Sequence, residues 1–343
     1  MRGLGVLESE NVRVVEPRMA SMDDLMLFHT ADYLRFVKQM SVAGTGLLDS
    51  GDTPAFKGCF EASALATGAS LTAVDLVMSG QAEHAMNISG GLHHAHVDRA
   101  SGFCVFNDPA VAIAYLKTKY HLRRILYLDI DAHHGDGVMY GFYDDPDLLD
   151  VDFHEDGRHL FPGTGSVAEI GEGEAAGLKI NIPLPPFMGN EGYQRLFRDI
   201  VPKAVRTFRP EILLMQCGVD AHANDLLAHL NLTSKTYREA TTWVESLAHE
   251  IANSRLVVFG GGGYNVGNVA RIWTIVAATL ANHKLQNKIP ESWRKMFEAF
   301  LGEPAPTALE SDTEAAVSDE AFNSGIVSSL VDDLRKRILL LKP

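Results

Sequence analysis

The segment RILYLDIDAHHGDGV, residues 124–138, joins a short apolar run directly to a dense group of acidic and histidine side chains. The apolar part is typical of a strand that is buried on both faces of a parallel sheet. Alternate side chains of a strand share a face, so Asp129, Asp131 and His133 are predicted to point the same way where this strand ends. The segment therefore predicts an α/β protein with a functional site beyond the carboxyl end of a strand.

Other strand-like segments also lead into polar or glycine-rich residues: AMNISGGLHH (85–94), EILLMQCGVD (211–220) and RLVVFGGGGY (255–264). In an open parallel sheet, the crevice at the carboxyl ends of the strands is where ligands bind. We therefore expect Asp220 and Tyr264 to lie near Asp131, although they are far apart in the sequence. This arrangement indicates metal-assisted hydrolysis.

Helical patterns alternate with these strands, as in repeated βαβ units, at residues 54–79, 108–120, about 191–208 and about 234–253. The segment 152–190 is rich in Gly and Pro and contains only one short strand candidate, Leu178 to Ile182. We interpret this long segment as a wall of the functional site.

The composition favours one main domain, because 343 residues with 46% hydrophobic content can bury one large core. We expect a catalytic domain over 1–301, an acidic linker over 302–320 and an amphipathic helix over 321–343. The helix would place Ile326, Leu330, Leu334 and Ile338 on one face. That face either docks on the core or binds a partner.

A net charge of -14 and the lack of a Lys and Arg stripe argue against direct nucleic-acid binding, although a cationic substrate remains compatible. The N-terminus has no signal-peptide apolar core, and no stretch approaches the roughly 18 apolar residues of a membrane span. Three cysteines without metal-type spacing fit buried thiols in a reducing compartment. We predict a soluble, cytoplasmic protein that does not bind membranes.

Asp131, His133 and Asp220 form a candidate ligand set of two carboxylates and one imidazole. Three protein ligands leave a position for water and substrate, as a catalytic zinc site requires, and ferrous iron would tolerate the same set. An aspartate at a strand end, taken alone, is more often a helix cap or a turn residue. The joint occurrence of the three residues favours the metal site.

Two adjacent histidines, His93 and His94, follow the segment that ends in two glycines. They are candidates for a general base and a charge-stabilising partner beside an activated water. Asp129 and Asp136 are the acids available to fix their tautomers. Tyr264, which follows four glycines, is a candidate hydrogen-bond donor to a developing oxyanion, or else a buried aromatic above a turn.

An ordered set of motifs resembles the zinc-dependent histone deacetylase family: GGLHHA (90–95), SGFCVFND (101–108), DIDAHHGDGV (129–138), FPGTG (161–165), QCGVDAH (216–222), LNLT (230–233) and GGGGYN (260–265). The resemblance covers about residues 25–300. GDTPAF (51–56) and IPESW (289–293) look most like the prokaryotic acetoin-utilisation branch. The implied fold is the arginase/deacetylase α/β fold, a largely parallel central sheet flanked by helices on both faces.

The resemblance also implies roles for individual residues. Zinc would be bound by Asp131, His133 and Asp220, and Tyr264 would polarise the acyl carbonyl. His94, paired with Asp136, would act as general base and then as general acid. His93, paired with Asp129, would steady the charge.

The same resemblance implies a substrate tunnel. Phe103 and Phe161 would form the walls for the lysine chain, with the Gly102 carbonyl near the amide nitrogen. Asp52 at the rim would hold the substrate backbone. Leu227 occupies the position where polyamine-selective members carry Glu, which favours acetyl-lysine in proteins over acetylpolyamines.

The resemblance also implies a monovalent cation, commonly potassium, beside Asp129, with carbonyls of Asp131 and His133 contributing. Asp152 stands where Ser is common in the family, which adds negative charge near that cation. We therefore expect stronger or altered cation binding.

The expected activity is zinc-dependent hydrolysis of N-ε-acetyl-lysine in proteins, with release of acetate. The alternatives are deacetylation of acetylpolyamines or other small N-acetyl amides, and an inactive metal-binding scaffold. A binuclear manganese hydrolase of the arginase type is less favoured, because no second acid lies two residues from Asp220. Members of the family that this chain resembles usually begin with an extra strand and a His-Pro segment, so we expect an edge element of the core to be missing.

Overall fold

The structure is a computed structural model that describes residues 1–310, 312 and 320–338. The helices are α1 (Met22–Leu25), α2 (Ala31–Ala43), α3 (Cys59–Met78), α4 (Asp108–Tyr120), α5 (Asp136–Gly141), α6 (Asn190–Phe208), α7 (Ser234–Ile251), α8 (Val266–Leu280), α9 (Glu291–Leu301) and α10 (Glu320–Ile338). The strands are β1 (His84–Asn87), β2 (Ile125–Asp129), β3 (Leu148–Glu155), β4 (Lys179–Leu184), β5 (Ile212–Gln216) and β6 (Leu256–Phe259). Short 3-10 helices cover Arg2–Leu4 and Gly173–Ala175.

The six strands form one sheet in the order β1-β6-β5-β2-β3-β4, and every pairing is parallel. The register places Asp129 beside Asp152 on one side and beside Gln216 on the other. Gln216 in turn lies beside Phe259. The carboxyl ends of four neighbouring strands therefore meet at one edge of the sheet, which confirms the predicted α/β architecture.

Helices cover both faces of this sheet because β2 is apolar on both sides. Leu126 and Leu128 pack with α6, α7, α8 and α10, whereas Ile125 and Tyr127 pack with α2, α3 and α4. Burial on both faces explains why the strand is a continuous apolar run instead of an alternating pattern.

The segment 152–190 is more regular than its sequence indicates, because β3 continues to Glu155. The prediction of a single strand candidate in this segment was wrong. Asp150, Asp152 and His154 alternate with apolar residues but are all buried, so the strand does not show the usual signature of a fully apolar buried run. The other candidate strand is present as β4.

At the end of the described chain, α10 packs against α6. Val327, Leu330, Val331 and Leu334 are buried in the core, whereas Ile326 is 36% exposed. Three of the four predicted positions, Leu330, Leu334 and Ile338, are therefore buried, so α10 docks on the core through most of the predicted face. Most of the predicted linker after Glu310 and the last residues of the predicted helix, 339–343, lie outside the described residues.

The three cysteines are buried and unpaired, in line with their predicted role as small apolar residues. Among the described helices, none combines the length and the apolar character that crossing a membrane requires.

Candidate active site

The predicted metal ligands lie together just beyond the carboxyl ends of β2 and β5. One ligand atom of each of Asp131, His133 and Asp220 lies within 4.8 Å of the other two, and all three side chains are buried. His133 Nδ1 is 2.9 Å from Asp220 Oδ2 and 3.1 Å from Asp131 Oδ1. The imidazole nitrogen and both carboxylates therefore converge on one point.

Two glycines border this cluster at positions where a side chain would not fit. A Cβ at Gly218 would lie 1.9 Å from Asp131 Oδ2, and a Cβ at Gly262 would lie 2.0 Å from Asp220 Oδ2. The Gly262 N–H donates a hydrogen bond to Asp131 Oδ2 at 2.7 Å. The glycines therefore let the backbone approach the carboxylates closely and fix their orientation.

The donor set fits a divalent cation. Two buried carboxylates and one imidazole suit zinc or ferrous iron, and three protein ligands leave room for water and substrate. Burial and the neighbouring Asp131 charge raise the pKa of Asp220 to about 7. Burial opposes protonation of His133, but its hydrogen bonds to Asp131 and Asp220 raise its pKa well above the ordinary value. A cation at the convergence point would relieve the repulsion between the carboxylates.

The adjacent histidines lie beside this cluster, and each is oriented by its own carboxylate. His93 Nδ1–H donates to Asp129 Oδ2 at 2.7 Å, and His94 Nδ1–H donates to Asp136 Oδ1 at 2.7 Å. The two Nε2 atoms are 3.1 Å apart. Both Nε2 atoms therefore face a common space, and His93 Nε2 is 3.9 Å from Asp131 Oδ1.

The pKa values of the two histidines diverge. Burial opposes protonation of His93, but the charges of Asp129 and Asp131 outweigh it and raise the His93 pKa to about 10. Burial and the charge of His93 lower the pKa of His94 to about 4. Of the two histidines, His94 is therefore the one that stays neutral near pH 7 and can accept a proton at Nε2.

Aromatic rings enclose the space in front of the cluster. The Phe161 ring centroid lies 5.0 Å from that of His94 and 6.4 Å from that of His133. The Tyr264 ring lies 6.2 Å from His133 and 6.0 Å from Phe103. Burial and the charge of Asp220 raise the pKa of Tyr264, so its hydroxyl keeps its proton and can donate it in a hydrogen bond.

The outer part of this space contains Phe103 and Phe161, which are 52% and 44% exposed. Gly102 lies deeper, since a Cβ there would come within 2.5 Å of the His94 ring. The Asp52 carboxylate is exposed and lies near the backbone of Phe103. The structure thus places Asp52 at the rim beside one of the two exposed rings.

Leu227 is 44% exposed, and its N–H donates to Asp225 Oδ1 at 2.9 Å. Asp225 Oδ2 accepts the N–H of Tyr264 at 2.8 Å. The loop that contains Leu227 is therefore attached to the glycine-rich turn before Tyr264.

Sequence reasoning missed several residues that hold this site. Gln216 Nε2 donates to Asp131 Oδ2 at 2.8 Å, and Tyr127 donates to Asp129 Oδ2 at 2.7 Å. His96 Nε2 is 3.1 Å from Asp136 Oδ2. Gln216 lies within, and His96 directly after, a short motif that contains assigned residues, but no spacing rule indicates which side chain an amide or imidazole will contact.

Asp152, predicted to add negative charge near a cation, has a partner that the sequence did not reveal. Its Oδ1 is 2.7 Å from His154 Nδ1, and its Oδ2 accepts the Gly135 N–H at 2.8 Å. Burial opposes protonation of His154, but the Asp152 charge raises its pKa above the ordinary value. The added charge is therefore partly balanced by His154.

Comparison with known proteins agrees with the fold and the motifs. The family model described as the histone deacetylase domain matches residues 2–280. The chain is 42% identical over 303 residues to the acetoin utilization protein AcuC of Bacillus subtilis (strain 168), covering 84% of this chain and 77% of that protein.

Acetoin utilization proteins AcuC from two staphylococci are also similar. The Staphylococcus aureus (strain MRSA252) protein is 38% identical, with 87% of this chain and 79% of that protein covered. The Staphylococcus xylosus protein is 35% identical, and the match covers 91% of this chain and 82% of that protein. The chain therefore belongs to the histone deacetylase family, has the arginase/deacetylase α/β fold and is a deacetylase of the hydrolase class.

Proposed function

We propose that this deacetylase hydrolyses the acetamide of N-ε-acetyl-lysine in proteins and releases acetate. One observation carries the proposal: His94, oriented through Nδ1 by Asp136, lies beside the converging Asp131, His133 and Asp220 side chains. A general base next to a divalent-metal ligand set is the combination that amide hydrolysis requires.

Zinc is the ion that we propose for the three ligands, with ferrous iron as the alternative for the same donors. When bound there, zinc supplies Lewis-acid polarisation of the acyl oxygen. We further propose potassium beside Asp129, where Asp129 and Asp152 are neighbouring buried acids. Identical kinetics in potassium-free and potassium-rich buffers would contradict the role of that cation.

The histidines would move the protons. His94 Nε2 accepts a proton from the water that attacks the carbonyl carbon, and the resulting imidazolium is stabilised by Asp136. His94 then donates this proton to the amine nitrogen as the carbon–nitrogen bond breaks, leaving acetate and the free lysine. His93, held by Asp129, would stabilise the negative charge that develops nearby.

Tyr264 would donate its hydroxyl proton in a hydrogen bond to the carbonyl oxygen as negative charge develops there. Its ring lies 6.2 Å from the His133 ring, on the side of the metal ligands. Removing one donor of this type typically lowers the rate about 100- to 1000-fold.

The approach to the site favours a long aliphatic chain. Phe103 and Phe161 would line the lysine methylenes, and the Gly102 carbonyl would lie near the amide N–H. Asp52 would accept hydrogen bonds from the substrate backbone at the rim. Leu227 offers no charge for a second ammonium, which favours a peptide over an acetylpolyamine.

The test measures acetate release from an acetyl-lysine peptide and from acetylspermidine, with zinc-loaded and chelator-treated protein. We expect metal-dependent turnover of the peptide, and a loss of about 100- to 1000-fold in the Tyr264→Phe protein. Preferred turnover of acetylspermidine would contradict the substrate assignment. A folded, zinc-loaded protein that turns over neither substrate would contradict the proposal and favour a metal-binding scaffold.

A further inference from the structure

A second cluster of metal-type ligands lies at the opposite edge of the sheet. One ligand atom of each of Glu83, His84 and His249 lies within 4.8 Å of the other two. His84 is the first residue of β1, and His249 lies in the last turn of α7. The candidate active site follows the carboxyl ends of the strands, so this cluster at the amino end of a parallel strand is separate from it.

We propose that Glu83, His84 and His249 form a second binding site for a divalent transition-metal ion. Two imidazoles and one carboxylate are a ligand set found for zinc in proteins. The set leaves a fourth position for water, or for the Glu245 carboxylate, whose Oε1 is 3.8 Å from His249 Nε2.

The hydrogen bonds of His84 leave one nitrogen available for a metal. His84 Nδ1–H donates to the carbonyl oxygen of Leu280 at 3.2 Å. The Nε2 atom is buried and has no hydrogen-bond partner among the described residues. A metal-binding histidine usually donates its second ring N–H to a carbonyl or carboxylate, which fixes the tautomer. A buried nitrogen without a partner is unfavourable, and a bound cation would satisfy its lone pair.

His249 shows the same division between its two ring nitrogens. Its Nδ1 is 2.6 Å from Ser254 Oγ, so Nδ1–H can donate to the hydroxyl and leave the Nε2 lone pair free. The His84 and His249 rings lie with centroids 5.3 Å apart and planes at 76°. Edge-to-face rings at this spacing bring a nitrogen of each close enough to share one ion.

The backbone beneath the cluster is fixed by the sheet. The Glu83 carbonyl accepts the N–H of Leu256 at 3.2 Å, and His84 lies in register with Leu256. Glu83 and His84 are therefore held at the start of β1, and His249 is held by α7. An ion shared among them would tie the terminal strand β1 of the described sheet to α7.

The chemistry of the three ligand side chains predicts which metal ions bind. Imidazole suits Zn²⁺, Cu²⁺ and Ni²⁺, whereas Mg²⁺ and Ca²⁺ prefer oxygen ligands in larger number. We therefore expect Zn²⁺ to bind at this cluster in the presence of millimolar Mg²⁺. Exposure of Glu83 and His249 gives the ion an entry path from solvent.

The test counts bound Zn²⁺ per chain, by competition with a chromophoric chelator, in metal-free full-length protein and in its His249→Asn variant. We expect the variant to bind one equivalent less than the wild type, whatever the occupancy of the candidate active site. Acetate release should be unchanged, since His249 lies at the other edge of the sheet. His121→Asn is the matched control, because His121 is also exposed and lies outside both clusters.

A Glu83→Gln variant provides a second measurement that keeps the backbone of β1 intact. We expect at least a 10-fold weaker affinity for that equivalent. Equal Zn²⁺ stoichiometry in the wild type and the His249→Asn protein would overturn the proposal, as would loss of the equivalent in the His121→Asn control. Displacement of the ion by Mg²⁺ alone would overturn the assigned metal class.

Discussion

Asp225 accepts the backbone N–H of Tyr264 through Oδ2 at 2.8 Å, and the N–H of Leu227 through Oδ1 at 2.9 Å. One half-buried carboxylate thus connects the loop after β5 to the glycine-rich turn after β6. Because glycines let that turn adopt many conformations, this hydrogen bond restricts the position of the Tyr264 hydroxyl. Asp225 is in this sense a positioning residue.

Replacing Asp225 by Ala should lower kcat for an acetyl-lysine peptide by about 10- to 100-fold, because a small displacement of a catalytic group is costly. KM should change little. Steady-state kinetics would measure both constants. The exposed Asp32 provides the control, and Asp32→Ala should behave as the wild type. An Asp225→Ala protein with an unchanged kcat would show that the turn holds Tyr264 without this bond.

Gly218→Ala should weaken metal binding at the candidate active site by about 10- to 100-fold. The new Cβ would lie 1.9 Å from Asp131 Oδ2, so the carboxylate would have to move away from the shared point. Competition titration with Zn²⁺ measures the affinity. Gly51→Ala is the control, because no atom lies within 4 Å of a Cβ at that position. Wild-type affinity in Gly218→Ala would contradict the close approach.

The stability of the protein should depend on the protonation of His29 in mildly acidic solution. Burial lowers the pKa of His29 from 6.5 to about 4, and its Nε2 accepts the N–H of Asn107 at 2.9 Å. Between pH 6.5 and about pH 4, His29 binds more protons in the unfolded chain than in the folded chain. The contribution of His29 to the free energy of unfolding therefore falls as pH drops from about 6.5 to 4, by about 3 kcal/mol.

Urea unfolding of the wild type and a His29→Gln variant over this pH range would measure that contribution. The variant should lose less stability on acidification than the wild type. His159→Gln, at an exposed position, should keep the wild-type pH dependence. Parallel pH profiles for the wild type and His29→Gln would argue against a buried neutral imidazole.

The C-terminal helix α10 should contribute to the stability of the catalytic domain. Leu334 is fully buried in the core cluster, so Leu334→Ala should lower the free energy of unfolding by about 2–5 kcal/mol. Ile326 is 36% exposed, so Ile326→Ala should change stability by less than about 0.5 kcal/mol. Denaturant unfolding of the two variants would distinguish a docked helix from a free one. Equal effects would indicate that α10 does not pack as described.

Much of the fold could be predicted from sequence because the strand and helix signals are local. β2 is a short apolar run, and α4 begins and ends where its periodic pattern does. β3 could not be recognised, because its buried Asp150, Asp152 and His154 disguise the pattern. Asp152 and His154 are stabilised inside by each other and by the Gly135 N–H, which lies in another segment, whereas the Asp150 carboxylate has no hydrogen-bond partner among the described residues.

The sequence by itself determined the chemical composition of the candidate active site, since Asp131 and His133 share one short segment and Asp220 follows another strand. Only the tertiary structure determined which side chains hold these residues in place. Gln216 reaches Asp131 across 85 positions, and His84 meets His249 through the pairing of β1 with β6 and the packing of α7. The physical reason is that strand order, register and helix packing set such contacts, and no local pattern encodes them.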